Sequence, residues 1–217
     1  MHFFFYALIL LVFSLASLRA QKASLLRYEL GDLVKDFKLK STSGKRISLR
    51  HYRRGRGLIL IFMCNECPFA QNYLERVKAL HARYASYGVP VVVVNSNSLS
   101  VQAHDSYDHM RALARSERLR YEYLADDAQV LARQYQVQST PHAFVLANSD
   151  QGFRIIYTGA IDDNALAPAK ISRSYVSQAV EDLLARRPVD VARTPVRGCG
   201  ISWLPQGDEA AVGALEE

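Results

Sequence analysis

Two cysteines three residues apart, Cys64 and Cys67, with Pro68 directly after the second, are the residues best placed to do chemistry in this 217-residue chain. A thiolate attacks disulfide sulfur, and a second thiol one helical turn away can displace whatever the first has captured. The turn Met63-Cys64-Asn65-Glu66-Cys67-Pro68 has an unbroken apolar run before it, Gly57 to Met63, of the length of a fully buried strand. After it, Phe69, Tyr73, Val77, Leu80 and Tyr84 recur at spacings of four and three, which lays an apolar stripe along a helix. A cysteine where a strand hands over to a helix faces backbone N–H groups without acceptors and the positive end of the helix dipole, both of which favour thiolate. Cys64 is therefore expected to be the nucleophile and Cys67 the resolving thiol. Two residues between them modulate the pair: Asn65, and Glu66, whose negative charge is expected to raise the Cys64 pKa. Pro68 is tolerated at the first helical position, where no acceptor awaits its missing N–H.

The third cysteine, Cys199, stands far away in sequence. Disulfide scaffolds of small secreted domains carry more cysteines in even number, so this distribution suits a reactive pair. Cys199 is read as a small packed hydrophobe near Trp203, with an additional redox partner as the sharper alternative. Half a zinc site would need a second ligand pair, and His51, His81, His104, His109 and His142 show no ligand-like spacing with the turn. A passive bridge between Cys64 and Cys67 would close so short a loop that it would constrain the unfolded chain little. No metal and no cofactor are expected.

The elements around the turn can be read from periodicity and punctuation. Asp36 to Leu49 alternates about Ser43 and Gly44 and reads as a hairpin or a pair of short strands. Gly88 stops the helix behind Pro68, and Val89 to Val94 is a second buried strand. A polar stretch, Asn95 to Asp105, leads to a helix carrying Tyr107, Met110, Leu113 and Ala114. Tyr121 to Leu124 is a strand, Asp126 an N-cap, and Ala128 to Tyr135 a short helix. Phe144 to Leu146 and Phe153 to Tyr157 pair across the turn Asn148 to Gly152, and Ile171 to Leu184 is the last helix. Asp162 and Asp163 are read as turn formers, and Tyr73 and Tyr84 as core. Strands alternating with helices and ending on an antiparallel hairpin predict a three-layer α/β fold, a mixed central β-sheet flanked by helices.

Composition places the whole in the globular class: 49% of residues are hydrophobic and 22% charged. Phe3 to Ala16 is an uncharged apolar run ended by small residues, so residues 1–20 are expected to be a signal peptide, cut after Ala16 or Ala20, or an uncleaved anchor. Removing them takes away Arg19 and no acid, so the formal charge of +6 becomes +5. The basic residues gather in Arg46 to Arg56, in Arg111 to Arg120 and near Arg186 and Arg187, not in one long tract with interleaved aromatics, which argues for a solvated surface and against nucleic acid as a partner. Residues 25–203 are read as one domain and 204–217 as a mobile C-terminal tail.

On these residues the chain resembles a known family. Gly31-Asp32-Leu33-Val34-Lys35-Asp36-Phe37-Lys38-Leu39, then Ser43-Gly44-Lys45, Ser48-Leu49 and the cysteine turn are similar to the opening of the redoxin branch of thioredoxin-like proteins, the alkyl-hydroperoxide-reductase and thiol-specific-antioxidant (AhpC/TSA) proteins. Cys-Asn-x-Cys-Pro, the later Thr140-Pro141-His142, Asn95-Ser96-Asn97, Gly159-Ala160-Ile161-Asp162-Asp163-Asn164 and Gly198-Cys199-x-Ile201-x-Trp203 resemble one exported subgroup of it. The resemblance implies a thioredoxin-like fold, Cys64 and Cys67 as redox pair, and Pro141 as a cis-proline opposite them, with Thr140 and Pro141 binding substrate. It implies thiol-disulfide exchange with protein or small-molecule disulfides, in the periplasm or outside the cell, without a membrane contact beyond the N-terminal segment. Three departures are visible: Met63 replaces the aromatic often found before the first cysteine, no acid lies in Leu58 to Met63, where many thioredoxins bury one, and the threonine that true peroxiredoxins place three positions before a cysteine is missing before both. Thiol-dependent peroxide reduction is the competing enzymatic reading, and a non-enzymatic soft-metal carrier the reading outside catalysis.

Overall fold

A run of six wholly buried residues, Gly57–Phe62, forms the centre of the molecule (β3). Successive side chains of a strand point to opposite faces, so Ile59 and Ile61 enter one core and Leu58, Leu60 and Phe62 the other. A continuous apolar strand needs cover on both sides, and the chain supplies it. The computed structural model describes residues 26–97 and 103–205. The expected leader 1–20 and most of the expected tail, from residue 206 on, lie outside the described residues.

Beside β3 the strands are β1 (Lys38–Ser41), β2 (Arg46–Ser48), β4 (Val91–Asn95), β5 (Glu122–Ala125), β6 (Ser139–Thr140), β7 (His142–Ser149), β8 (Gly152–Gly159) and β9 (Cys199–Gly200). The helices are α1 (Pro68–Tyr84), α2 (Tyr107–Ser116), α3 (Val130–Gln134) and α4 (Tyr175–Leu184). Seven strands form one sheet in the order β2-β1-β5-β4-β3-β7-β8. The inner pairs β3–β4 and β4–β5 are parallel, and the outer pairs are antiparallel. Strands β6 and β9 form a separate antiparallel ladder. Val77 of α1, Met110 of α2 and Val180 of α4 cover one face, while Leu131 of α3, Tyr135 and Tyr28 cover the other. The three layers and the mixed sheet are as expected from the sequence.

Differences from the expected elements have local causes. Strand β4 starts at Val91, two residues late, because Pro90 has no N–H to donate, although its carbonyl still accepts from Ile59 N–H at 2.9 Å. The short helix starts at Val130, not Ala128. The Asp126 carboxylate accepts from the N–H groups of Leu131 and Ala132 at 3.2 and 2.9 Å, so Asp126 caps the helix from further back than an N-cap residue does. The last helix starts at Tyr175 rather than Ile171, since Asp163 holds both the N–H and the hydroxyl of Ser172 in the preceding loop. Asp162 forms a turn, accepting from Asn164 N–H at 3.0 Å, and also takes the Tyr73 hydroxyl at 2.8 Å and the Arg76 guanidinium at 2.6 Å from α1.

His142, at the start of β7, stacks on Phe144 with ring centroids 4.4 Å apart and meets the Thr158 hydroxyl at 2.9 Å. Burial, and then the charge of Arg193, push its pKa from the ordinary 6.5 down to about 4. The folded protein keeps this imidazole neutral where the unfolded chain protonates it, so stability is complete above pH 6.5 and is lost as pH falls from there to 4. The expected loss from this group is about 2 to 3 kcal/mol at pH 4. Urea unfolding at pH 7 and pH 4.5 checks it: His142→Gln should flatten the acid slope that the wild type shows.

Candidate active site

The register of β3 on β7 determines what faces the cysteine turn. Phe62 lies opposite His142 in that antiparallel pair. Two residues beyond Phe62 is Cys64, and two residues before His142 is Thr140, so the same register carried outward sets the nucleophile against Thr140. The Thr140–Pro141 peptide bond is cis, as the resemblance implied. The sulfur of Cys64 lies 3.2 Å from the Thr140 hydroxyl, and the sulfur of Cys67 lies 3.4 Å from the Thr140 carbonyl oxygen.

Helix α1 starts four residues after Cys64, too late to hold the nucleophile in its first turn. Cys67 is the N-cap and Pro68 the first helical residue, so Cys64 sits in the turn ahead of the helix. The Cys67 N–H reaches back to the Cys64 sulfur. Cys64 is only 6% exposed and Cys67 4%. Cys64 opens onto a mostly apolar cleft of about 260 Å³, lined among others by Met63, Leu74, Leu113, Leu119 and Tyr121.

The expectation of an acidic Cys64 is corrected by this setting. Burial, the largest influence, pushes the Cys64 thiol above its ordinary value, and the Asp105 carboxylate adds to the rise. Hydrogen bonds from the Thr140 hydroxyl, the Cys67 N–H and the Asn97 amide act the other way without overcoming it. The acid that faces the thiol is therefore Asp105. Glu66 points outward, its side chain 51% exposed, and meets His104 at 3.3 Å.

Asp105, 3% exposed, was not singled out from the sequence. Its carboxylate accepts from the Asn65 N–H at 2.6 Å, the Asn95 amide at 3.0 Å and the Asn97 amide at 2.7 Å. The signal was in Asn95 and Asn97: amide donors emerging from a buried strand need an acceptor. Asn65 is held on every polar group, its amide donating to the His104 carbonyl at 2.8 Å and its side-chain oxygen accepting from the buried Tyr123 hydroxyl at 2.8 Å. The turn is thus held by buried donors and acceptors whose other partners lie on β4, β5 and the loop before α2.

Two further corrections concern the third cysteine and the edge of Thr140. Cys67 is joined to Cys199, with Cα atoms 5.9 Å apart, and Cys64 is the free thiol. Cys199 is thus not only a small packed hydrophobe, the reading preferred from the sequence, and its bond to Cys67 agrees with the alternative of a redox partner. The backbone edge of Thr140, expected to receive an extended substrate, pairs with Cys199 of β9, and Ser139 pairs with Gly200. Among the described residues, no group of three or more His, Cys, Asp or Glu side chains is placed to hold a metal ion, and no helix is long and apolar enough to cross a membrane.

A mixed sheet covered on both faces, with a cysteine turn at the end of its central strand and a cis-proline opposite, defines a thioredoxin-like protein. The model of the AhpC/TSA family matches residues 30–155, more than half of the chain, and the chain belongs to that family. Solved structures agree on the fold. An uncharacterized conserved protein from Geobacillus kaustophilus is 26% identical with a TM-score of 0.76, covering 83% of this chain and 95% of its own. A hypothetical protein from Sinorhizobium meliloti 1021 is also 26% identical, with a TM-score of 0.75 over 82% and 96% of the two chains. Peroxidoxin BcpB from Mycobacterium tuberculosis shares the fold at 17% identity, with a TM-score of 0.56 over 74% and 99%. No curated protein matches.

Replacing Asp105 by Asn removes a charge beside Cys64 and turns one amide donor toward that of Asn97. The expected result is a lower Cys64 pKa, read from the pH dependence of alkylation by iodoacetamide, together with about 1 to 3 kcal/mol of lost stability for the broken network. Glu66→Gln should move the same titration less.

Proposed function

We propose that this redoxin is a thiol-disulfide oxidoreductase whose nucleophile is Cys64. The observation that carries the reading is the free Cys64 thiol lining an apolar cleft, in contact with the Thr140 hydroxyl and three residues from a second redox-competent sulfur. The Cys64 thiolate attacks one sulfur of a substrate disulfide and releases the other as a thiolate. Cys67 then attacks the Cys64 sulfur of the mixed disulfide, releases the second substrate thiol and leaves Cys64 joined to Cys67. The reverse sequence oxidises a dithiol. The Thr140 hydroxyl and the Cys67 N–H stabilise negative charge on Cys64 as it forms or departs, and Pro141 keeps that hydroxyl beside it. The partners are proteins or small molecules carrying thiols or disulfides, no cofactor takes part, and the place of work is outside the cytoplasm if residues 1–20 act as a leader.

Because the Cys64 pKa is raised, exchange should accelerate as pH increases through neutrality toward that pKa. The test is stopped mixing of fully reduced protein with a disulfide peptide and, separately, with hydrogen peroxide. Wild type should consume the disulfide faster at pH 8 than at pH 6.5, and Cys64→Ser should fall to the uncatalysed rate. Thiol loss to peroxide that outruns loss to the disulfide would replace this reading with peroxide reduction.

A further inference from the structure

The C-terminal segment is built onto the site. Gly198 packs so closely against Thr140 that a Cβ at 198 would overlap the Thr140 carbonyl oxygen. The next residues run antiparallel to 138–140: Cys199 opposite Thr140, Gly200 opposite Ser139, and Ile201 N–H donating to the Gln138 carbonyl at 3.3 Å. Beyond them the chain is fastened by side chains. Ser202 N–H donates to the Asn97 side-chain oxygen at 3.1 Å, and the buried Gln129 amide donates to the Ser202 carbonyl at 2.8 Å. Leu204 N–H donates to the Gln129 side-chain oxygen at 2.7 Å, and Arg133 lies 4.6 Å over the Trp203 ring. Ile201 is buried in the core. This segment lies outside the residues matched to the family, 30–155.

One extended strand on the Thr140 edge is how a bound disulfide substrate would lie, except that here the strand belongs to the chain itself and its cysteine is bonded to Cys67, not to the nucleophile Cys64. We propose that Cys199 is a third redox-active residue, an internal partner that takes the disulfide from Cys64–Cys67. The Cys199 thiolate attacks the Cys67 sulfur, the Cys64–Cys67 bond breaks as the Cys67–Cys199 bond forms, and Cys64 leaves as thiolate. No electrons enter or leave. The proton given up by the Cys199 thiol is balanced by the one Cys64 takes from solvent. The product is the state described above: an oxidised chain whose nucleophile is again a thiol. The inference deepens the exchange reading by naming what happens after the Cys64–Cys67 bond forms, but its central step needs only that this bond exists.

The experiment oxidises the full reduced chain with one equivalent of a disulfide peptide, quenches it with N-ethylmaleimide and maps the links without reduction. Trypsin releases residues 57–76 and 198–217, and a Glu-specific protease cuts after Glu66, so that Cys64 and Cys67 fall on different peptides. The expected result is maleimide on Cys64 and a link between Cys67 and Cys199 in most molecules. Maleimide on Cys199 with Cys64 linked to Cys67 would overturn the proposal. Gly198→Ala, which drives the strand off Thr140, should move the label from Cys64 to Cys199, and an unchanged distribution would refute the role of strand pairing. Cys199→Ala should take up no maleimide once oxidised. If the peptide is not consumed but diamide yields a Cys64–Cys67 link that then passes to Cys67–Cys199, the exchange reading fails and the relay stands, whereas a Cys67–Cys199 link that never passes through Cys64–Cys67 overturns the relay. If the peptide is consumed and Cys199 stays free, the reverse holds.

Discussion

Thr140 is the junction on which the site depends. Its hydroxyl touches one sulfur of the cysteine turn, its carbonyl oxygen the other, and its backbone edge the strand that bears the third cysteine. None of this is a local property of the turn. It follows from β3 lying antiparallel to β7 in a single register, pinned because a slip of one residue would turn Leu58, Leu60 and Phe62 to the wrong face. Two buried cores on opposite sides of one strand therefore hold the distance between the nucleophile, itself packed in one of them, and the hydroxyl opposite it.

The polar side of the site is organised by a different rule. A buried carboxylate is tolerated when its oxygens accept hydrogen bonds, and Asp105 accepts three, from Asn65, Asn95 and Asn97. The network fixes the turn and at the same time places negative charge near the thiol, opposing ionisation. Geometry and reactivity pull against each other at Cys64. The hydroxyl of Thr140 and the N–H of Cys67 moderate the conflict, and a thiol held this way is spared indiscriminate reaction.

Much of this was legible in the residues. The Gly57 to Met63 run, the stripe behind Pro68 and the alternation about Ser43-Gly44 each announce their element, because burial on a regular strand or helix imposes a period on the sequence. The Cys64–Cys67 spacing and its strand-to-helix setting likewise marked the site, and the resemblance at Thr140-Pro141 supplied the cis-proline. What stayed hidden was long-range and aperiodic. Asp105 sits in a polar stretch where nothing local distinguishes it from Asp108, and only the fold brings it under Cys64. Strands β6 and β9 are two residues long, too short for a pattern, and Cys199 looks like any small apolar residue until its partner is known. Adjacency in sequence put Glu66 between the cysteines, while the turn points it at His104 and solvent.

The order in which the chain is made has a bearing on its sulfur chemistry. The strand that covers Thr140 and carries Cys199 leaves the ribosome long after the cysteine turn and the sheet beneath it have been synthesised. During that interval a nascent molecule can hold only the short Cys64–Cys67 loop. Any chain truncated before Gly198 would keep the turn, the cis-proline and the cleft while leaving the Thr140 edge bare, and would meet disulfides as a two-cysteine protein with no means of handing the bond inward.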